Sequence, residues 1–368
     1  MSGVLRPANP ADNARLLELH GSVPMTGSLV LSTRRDPDFF ALYDMQRGVS
    51  ECWVHETGGR PTGLGTLLVR DGWLDGAPAR VGYLGDLRMQ FGASRERGVI
   101  RAYGEVLDRA VGAHGCERFL TAVLASNAAA LNALVRRRRE RASQPRYQLL
   151  RRFSMVSIQF TRRRPRPEES LVRAAGPDDL PEIVRLLDRD HRRRPFGYRY
   201  DAGELEHRLE RWPVMTLDRT YVARDATGRL VGVTTAWDPS AVKRYRVVAY
   251  RGSMLWTQRA FNAVAKVMRY PPLPDPGADF RYFYLCNTSI EGERPEVLRA
   301  LLDRIYADFH GTGHHFFSLC VYEDDPLAPA LRGFSTRALD FHLYAVSRAG
   351  DPERTYPAGR PGFEMALA

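Results

Sequence analysis

The sequence lacks most of the patterns that mark secreted, metal-binding or membrane-spanning proteins. Its 368 residues include only four cysteines, which lie far apart without the spacing of metal ligands. We therefore expect buried, reduced thiols and no metal site. No apolar run approaches the roughly 20 residues of a membrane helix, and residues 1–17 lack the apolar stretch of a secretory signal. Together these absences predict a cytoplasmic protein without a membrane span.

Lysine is nearly absent as well, so the net charge of +11 comes almost wholly from arginine. An excess of cations favours anionic partners such as phosphate groups, acidic substrates or nucleic acid. The densest cluster runs from Arg136 to Arg139 and continues with Arg141 and Arg146. It has no interleaved aromatic residues and belongs to no recognisable nucleic-acid-binding module. We interpret it as the solvated face of a helix and expect no nucleic-acid partner.

Two sequence patterns occur twice, in the same order. A short strand followed by a helix start covers residues 4–12 and recurs at 171–179, each time before an amphipathic helix. A β-hairpin pattern covers residues 51–69 and recurs at 220–237. Matching patterns in matching order indicate an internal duplication. The chain is also long enough for two domains, each with its own core.

We predict an α/β fold of two tandem domains, each with a mixed central β-sheet flanked by helices. A polar, proline-bearing stretch at residues 162–169 separates the two copies. The predicted organisation is an N-terminal domain over residues 1–163, a C-terminal domain over 164–348 and a surface tail over 349–368.

The stretch most informative about function covers residues 79–127. An apolar strand ends at residues 85–89, and a loop rich in glycine and arginine follows it. A helix with one apolar face then ends at Gly115, before another apolar strand at 119–124. Strand, basic loop, helix and strand form a βαβ unit, in which backbone N–H groups and a positive helix N-terminus lie beyond the first strand. We expect this geometry to bind a pyrophosphate.

At these residues the sequence resembles the GNAT superfamily, the acyl-CoA-dependent N-acyltransferases. In that family, a strand that donates backbone hydrogen bonds to pantetheine is followed by Gln or Arg, two residues, Gly, one residue, and Gly or Ala. Arg95 and Gly98 match this pattern, and Ile100 departs from it at the last small position. The resemblance implies acetyl-CoA or another acyl-CoA as the cofactor. The implied binding residues of the strand end and the loop are Leu87, Arg88, Met89, Arg95, Glu96, Arg97, Gly98 and Val99.

A second part of the resemblance lies past the next strand. The family carries an Asn and an Ala there, matched by Asn127 and Ala130, so Asn127 joins the implied cofactor-binding residues. Four residues further on, the family often has the tyrosine that protonates the leaving thiolate, and this chain has Leu134 instead. The resemblance therefore implies the cofactor more specifically than it implies a mechanism.

Acyl transfer from a thioester to an amine requires removal of the ammonium proton, stabilisation of an oxyanion and departure of the thiolate. The resemblance implies that a backbone N–H near Leu87 or Met89 stabilises the oxyanion. Asp86 at the strand end is the candidate base for the amine proton, although a carboxylate there can equally cap a nearby N–H. Glu51, which opens the first hairpin, is a second candidate catalytic residue, with a solvated glutamate as the alternative interpretation.

The second half lacks the cofactor loop. Residues 290–295 contain acids and a proline where N–H donors and a basic residue belong. Carboxylates repel phosphate, and proline removes a donor. The position that corresponds to Asp86 is Asn287, which cannot act as a base. We therefore predict one active cofactor site, in the N-terminal domain.

The predicted activity is an N-acyltransferase that moves an acetyl group from acetyl-CoA to a primary amine, either a small molecule or a peptide. Two alternatives stay open. One is a non-catalytic acyl-CoA-binding or regulatory module, favoured by Leu134 and Ile100, and the other is a longer-chain synthase of N-acyl amino acids. The preferred acyl length separates the two activities, and turnover with a panel of amines separates both from the binding module. The sequence assigns no oligomeric state.

Overall fold

The computed structural model describes residues 4–367, apart from positions 23, 26, 90–97, 137–143, 162–163, 169–170 and 269. The side chains of residues 98–102 and 266 also lie outside the description. Three of the predicted cofactor residues, Arg95, Glu96 and Arg97, therefore lie outside the described residues, as does most of the arginine cluster that begins at Arg136.

The first half of the chain alternates strands with short helices before one long helix. Its elements are β1 (Val4–Pro7), α1 (Asn13–Gly21), β2 (Leu29–Arg34), α2 (Ala41–Asp44), β3 (Val49–Thr57), β4 (Arg60–Leu74), β5 (Ala77–Met89), α3 (Gly98–His114), β6 (Arg118–Leu124), α4 (Ala128–Ala130) and β7 (Arg146–Gln159). A π-helical turn, Leu131–Val135, continues α4.

The second half follows a similar order and adds a second long helix. Its elements are β8 (Val172–Ala174), α5 (Leu180–His191), β9 (Gly197–Tyr198), α6 (Ala202–Arg211), β10 (Thr220–Arg224), β11 (Leu230–Trp237), β12 (Arg244–Tyr250), α7 (Ser253–Met268), β13 (Tyr282–Ile290), α8 (Pro295–Phe309), β14 (Phe316–Tyr322) and β15 (Thr336–Ser347).

The duplicated strand–helix pattern adopts the same local structure in both halves. In the first half, the Asp12 carboxylate accepts hydrogen bonds of 2.7 and 2.8 Å from Arg6. In the second half, Asp179 accepts bonds of 2.6 and 2.8 Å from Arg173. Each acid lies just before a helix, where negative charge is favoured. Its ion pair with the arginine connects that helix to the preceding strand. A shared Arg–Asp spacing therefore explains why this pattern recurs.

One mixed sheet runs through the molecule in the order β1-β3-β4-β5-β6-β15-β7-β14-β13-β11-β10-β8. Along this order β5–β6 and β13–β14 are parallel pairs, and the remaining pairs are antiparallel. A parallel pair needs a crossover connection, which α3 supplies in the first half and α8 in the second. The α/β class and the βαβ unit predicted from the sequence are confirmed.

The two halves exchange their last strands. β15 of the second half lies beside β6 of the first, with Leu343 opposite Ala122. β7 of the first half pairs with β14 of the second, with Ser157 opposite Ser318. Each half thus completes its part of the sheet with a strand from the other. The boundary predicted at residue 163 separates β7 from β8 along the chain, whereas the sheet itself is continuous.

Helices cover both faces of the sheet. On one face, α3 packs through Val106 and Leu107, and α8 packs through Leu301 and Leu302, all at most 4% exposed. On the opposite face lie α1 and α5. A separate two-stranded sheet, β2 with β12, also joins the two halves. Within the described ranges, no helix combines the length and the apolar character needed to cross a bilayer.

The end of the chain is buried, which corrects the prediction of a surface tail. Ala366 and Leu367 are 3% and 5% exposed, and the ring of Phe363 lies 5.5 Å from that of Phe153. The prediction rested on the proline and glycine content of the tail. It was wrong for residues 361–367, which are mostly apolar, because burying them removes their surface from water.

Candidate active site

The parallel strands β5 and β6 separate part of the way along their length. Their ladder covers only residues 81–83 of β5 and 118–120 of β6. Beyond it, the Thr121 hydroxyl donates a 2.8 Å hydrogen bond to the Leu84 carbonyl. On its other side, β5 stays paired with β4 as far as Met89. The end of β5 therefore presents a backbone edge to the space between the strands. We call the space between residues 84–89 and 121–124 the first gap.

The backbone of β5 is irregular where this gap begins. The register with β4 shifts between Leu64 and Thr66, and Asp86, in the bulge opposite them, has a φ of 47°. Positive φ is uncommon outside glycine, and Asp and Asn tolerate it best because their short side chains bond locally. A bulge also redirects the side chain that it carries, and the side chain of Asp86 lies on the face covered by α1 and α2.

Asp86 is buried among three polar side chains. The Arg35 guanidinium lies 2.7 Å from one carboxylate oxygen, and the Tyr43 hydroxyl donates a hydrogen bond to the same oxygen. Arg35 also donates a 2.7 Å hydrogen bond to Tyr43. His20, near the end of α1, places its Nε2 at 3.5 Å from the other carboxylate oxygen. We call these four side chains the Asp86 cluster.

Burial and ion pairing decide the charges in this cluster. Burial raises the pKa of Asp86, but Arg35, His20 and Arg88 together outweigh it and hold that pKa well below the usual range. Burial lowers the pKa of His20 to about 4, so this imidazole is neutral at pH 7. Its Nδ1 lies 3.2 Å from the Thr33 carbonyl, which can only accept, so Nδ1 carries the proton. At neutral pH the cluster holds one carboxylate and one guanidinium.

This electrostatic setting bears on what Asp86 can do. A carboxylate with a strongly lowered pKa has little tendency to take a proton from an ammonium ion. The same carboxylate neutralises Arg35, and without it a guanidinium would be buried with no counter-ion. These contacts are typical of a carboxylate that stabilises the end of a strand. The role of Asp86 as a catalytic base stays a prediction.

The structure does not bring Glu51 and Asp86 together. Successive side chains on a strand point to opposite faces, and Cys52 packs in the core beneath α1 and α2, so Glu51 faces α3. There its carboxylate lies 2.9 Å from Nε2 of His114 and 3.5 Å from Arg109. The two acids therefore lie on opposite faces of the sheet, and Glu51 is separated from the surroundings of Asp86.

Apart from Asn127, the predicted cofactor residues within the described part of the chain lie at the end of β5 and at the start of α3. Leu87, Arg88 and Met89 form the end of β5, and Gly98 and Val99 begin α3. The loop between them lies outside the described part of the chain. These positions stand at the open end of the βαβ unit, where the helix N-terminus is positive.

Asn127 has a local role in the turn that follows β6. It is the N-cap of α4, and its Oδ1 accepts a 3.1 Å hydrogen bond from the Ala130 N–H. The Asn and the Ala of the family resemblance are thus the two ends of one capping interaction. This capped turn lies just past the β6 side of the first gap.

The second half has a matching bulge with different chemistry. The ladder between β13 and β14 stops at Tyr284 and Ser318. Asn287, with a φ of 51°, lies where the register with β11 shifts. Its Oδ1 accepts hydrogen bonds of 3.0 Å from the Tyr200 hydroxyl and 2.6 Å from Arg208. The two bulge residues therefore correspond in position, and the one in the second half is neutral. We call the space between residues 285–290 and 319–322 the second gap.

The last residues of the chain lie in the second gap. The Asn287 N–H donates a 2.7 Å hydrogen bond to one carboxylate oxygen of Glu364, and Arg208 lies 3.1 Å from the other. Lys243 donates a 3.4 Å hydrogen bond to the Ala366 carbonyl. The volume left between β13, β14 and residues 360–366 is about 50 Å³, which admits a few water molecules and is far smaller than a cofactor site. Sequence reasoning missed this occupancy, although the apolar end of the tail was a signal for it.

Comparison with known proteins adds a measure of the fold. No protein-family model and no curated protein matches the sequence. Among solved structures, Saccharomyces cerevisiae N-myristoyltransferase with bound myristoyl-CoA is similar with a TM-score of 0.63 at 10% identity, over 97% of this chain and 84% of that one. A GCN5-related N-acetyltransferase from Sphaerobacter thermophilus has a TM-score of 0.57 at 13% identity, over 99% and 98%.

A third solved structure is itself described as a tandem protein. It is a tandem GNAT protein from the clavulanic acid biosynthesis pathway. Its TM-score is 0.55 at 14% identity, over 96% of this chain and 100% of that one. All three similarities extend over nearly the whole chain, at identities that show the fold alone. They confirm the GNAT-like fold that the sequence resemblance implies. The chain therefore has the fold of the GNAT N-acyltransferases.

Proposed function

We propose that the protein is an acyl-CoA-dependent N-acyltransferase whose cofactor binds in the first gap. The observation that carries this proposal is the difference between the two gaps. Residues 360–366 lie in the second gap, whereas the first lies beside the predicted pyrophosphate loop and the N-terminus of α3. A backbone edge exposed where two parallel strands separate suits an extended ligand such as pantetheine, which binds as an added strand does.

The second gap supports an assignment of the oxyanion donors. There, the N–H of the bulge residue Asn287 binds a carboxylate oxygen of Glu364. By correspondence, the backbone N–H groups at the Asp86 bulge donate to the thioester carbonyl oxygen as it becomes an oxyanion. The neutral amine nitrogen attacks the carbonyl carbon and the C–S bond breaks. The proton that the nitrogen loses passes through water to the leaving thiolate, so that the products are an amide and CoA.

In this proposal Asp86 is a positioning residue. Its ion pair with Arg35 and its hydrogen bond from Tyr43 fix the bulge and so the direction of the nearby N–H groups. The variant Asp86→Asn separates this role from that of a base. A positioning residue should change both the CoA dissociation constant and the rate, whereas loss of a base should lower kcat at unchanged cofactor affinity.

The proposed donor is acetyl-CoA, and the proposed acceptor is a primary amine of a small molecule or a peptide. A longer acyl-CoA is the alternative donor, because similar folds occur both in a structure with bound myristoyl-CoA and in an N-acetyltransferase. In the proposal, the second half contributes part of the acceptor site through β12 and the tail.

Thermal unfolding with CoA, acetyl-CoA and myristoyl-CoA tests the cofactor assignment. A ligand at a hundred times its dissociation constant should stabilise the fold by about 2.7 kcal/mol, and calorimetry should give one site per chain. Release of free thiol with a panel of amines then tests turnover. Binding without turnover on any amine would support the non-catalytic module, and no stabilisation by the three ligands would contradict the proposal.

A further inference from the structure

Helix α7 carries an apolar stripe on the outside of the molecule. Four of its apolar side chains are more than half exposed: Trp256 at 68%, Val264 at 55%, Val267 at 81% and Met268 at 54%. At 100° per residue, Trp256, Val264 and Val267 lie on one side of the helix, with the exposed Ala260 between them. The opposite side packs inward through Gln258 and Ala265, which are 7% and 0% exposed. The stripe is therefore continuous along the helix.

The segment that carries this helix contains cations and no acids. Between Asp238 and Asp275 the sequence has no carboxylate side chain and seven basic residues, Lys243, Arg244, Arg246, Arg251, Arg259, Lys266 and Arg269. Arg251, just before the helix, and Arg259, within it, are exposed, and the Arg259 guanidinium lies 5.3 Å from the centre of the Trp256 ring. Lys243 is buried, and Arg244 and Arg246 pair with Asp36 and Asp279, so Arg251 and Arg259 are the described cations that this segment exposes without a carboxylate of its own.

We propose that α7 binds the surface of an anionic lipid bilayer and lies in the plane of the headgroups. A helix with a tryptophan and aliphatic residues on one side and arginine beside them is typical of interfacial binding. The aliphatic side chains enter the boundary of the acyl chains, while the arginines reach the lipid phosphates. Charge complementarity selects the bilayer over a second copy of this chain, because two copies of this face would bring their cations together.

Co-sedimentation with vesicles tests the proposal on the full-length chain. One set of vesicles contains phosphatidylglycerol and phosphatidylcholine in equal parts, and the other contains phosphatidylcholine alone. We expect the chain to sediment with the anionic vesicles, and binding should fall as salt is added because the phosphate contacts are screened. The double variant Trp256→Gln, Val267→Gln should lower the partition coefficient about tenfold or more. Arg259→Glu should lower it by about fivefold.

Two matched variants control for hydrophobicity and for charge. Leu149→Gln changes an apolar side chain in β7 that is 41% exposed. Arg60→Glu makes the same charge change as Arg259→Glu, at an exposed position where β4 begins. Both should bind vesicles like the parent chain, and all variants should keep its unfolding temperature.

Three results would overturn the proposal. The first is equal binding of the anionic vesicles by the parent chain and the Trp256 and Val267 double variant. The second is failure of the parent chain to bind anionic vesicles. The third is light scattering that shows a dimer of the parent chain, abolished by the double variant, without vesicle binding. That last result would assign the stripe to a second copy of the chain.

Discussion

The two gaps of the sheet have the same backbone geometry, but different side chains bind the bulge residue in each. Each opens where a parallel pair of strands separates beside a bulge whose residue has positive φ. In the first gap a buried ion pair, Asp86 with Arg35, fixes the bulge. In the second, the neutral Asn287 shares Arg208 with Glu364 from the tail. In both gaps, polar side chains of the protein bind the residue at the bulge. The charge of that residue differs, since Asp86 is a carboxylate and Asn287 is a neutral amide.

The largest expected effect comes from breaking the ion pair of the first gap. Arg35→Met should lower the free energy of unfolding by about 3–5 kcal/mol, because it removes the guanidinium that contacts the buried Asp86 carboxylate. Adding Asp86→Asn, which makes the first bulge neutral like the second, should recover much of that loss. Urea unfolding at pH 7 measures both.

A surface ion pair provides the control for this prediction. Arg47 pairs with Asp201 at 2.9 Å, with side chains 48% and 52% exposed, so Arg47→Met should change stability by only about 0.5 kcal/mol or less. If Arg35→Met costs no more than Arg47→Met, the Asp86 cluster does not hold the bulge in the way described.

Acid should destabilise the fold through the buried histidines His20 and His191. The pKa of His20 is about 4 in the folded chain and about 6.5 in an unfolded one. Because the unfolded chain takes up this proton first, the contribution of His20 is complete above pH 6.5 and is lost as the pH falls to 4. The loss is up to about 3 kcal/mol. Urea unfolding across this pH range measures it.

The variant His20→Asn should remove most of this pH dependence. Burial also holds the pKa of His191 in the second half well below its usual value, so adding His191→Asn should flatten the profile further. A profile that His20→Asn leaves as steep as in the parent chain would contradict the assignment.

Weakening the contacts of the tail in the second gap tests whether that gap can bind CoA as well. Glu364→Ala removes the acceptor of the Asn287 N–H and one partner of Arg208, so we expect a loss of about 1–3 kcal/mol in stability. The number of CoA molecules bound by calorimetry should stay at one per chain. Glu353→Ala in the same tail, where the side chain is 83% exposed, should change neither quantity. A second CoA site in the Glu364 variant would show that the gaps differ only in their occupancy.

The smallest expected effect concerns the loop that distinguishes the two βαβ units. Arg97→Glu should weaken CoA binding about tenfold, or ~1.4 kcal/mol, because a carboxylate replaces a phosphate-binding cation. Arg294→Glu, in the second-half segment that corresponds to this loop, should leave CoA affinity unchanged. Equal effects of the two variants would remove the loop assignment.

The features that could be predicted from the sequence are those carried by residues close together in the chain. The duplicated Arg–Asp pattern, the βαβ unit and the correspondence of Asp86 with Asn287 all follow from residues close together in the chain. The exchange of β7 and β15 could not be predicted in this way, since alternation indicates which side chains are buried but not which strand lies alongside. Residues that meet from distant elements, such as His20 and Arg35 at Asp86, were missed for the same reason.

The exchanged strands set a constraint on how the chain is made. β6 leaves the ribosome long before β15, and until β15 arrives the edge of β6 that will pair with it has no native partner. Such an edge is a template for pairing with other chains, and this kind of long-range pairing is slow to form. A chain released before β15 is synthesised would therefore not be a working half-protein. It would carry an open strand edge, and aggregation or recruitment of a chaperone is its expected fate.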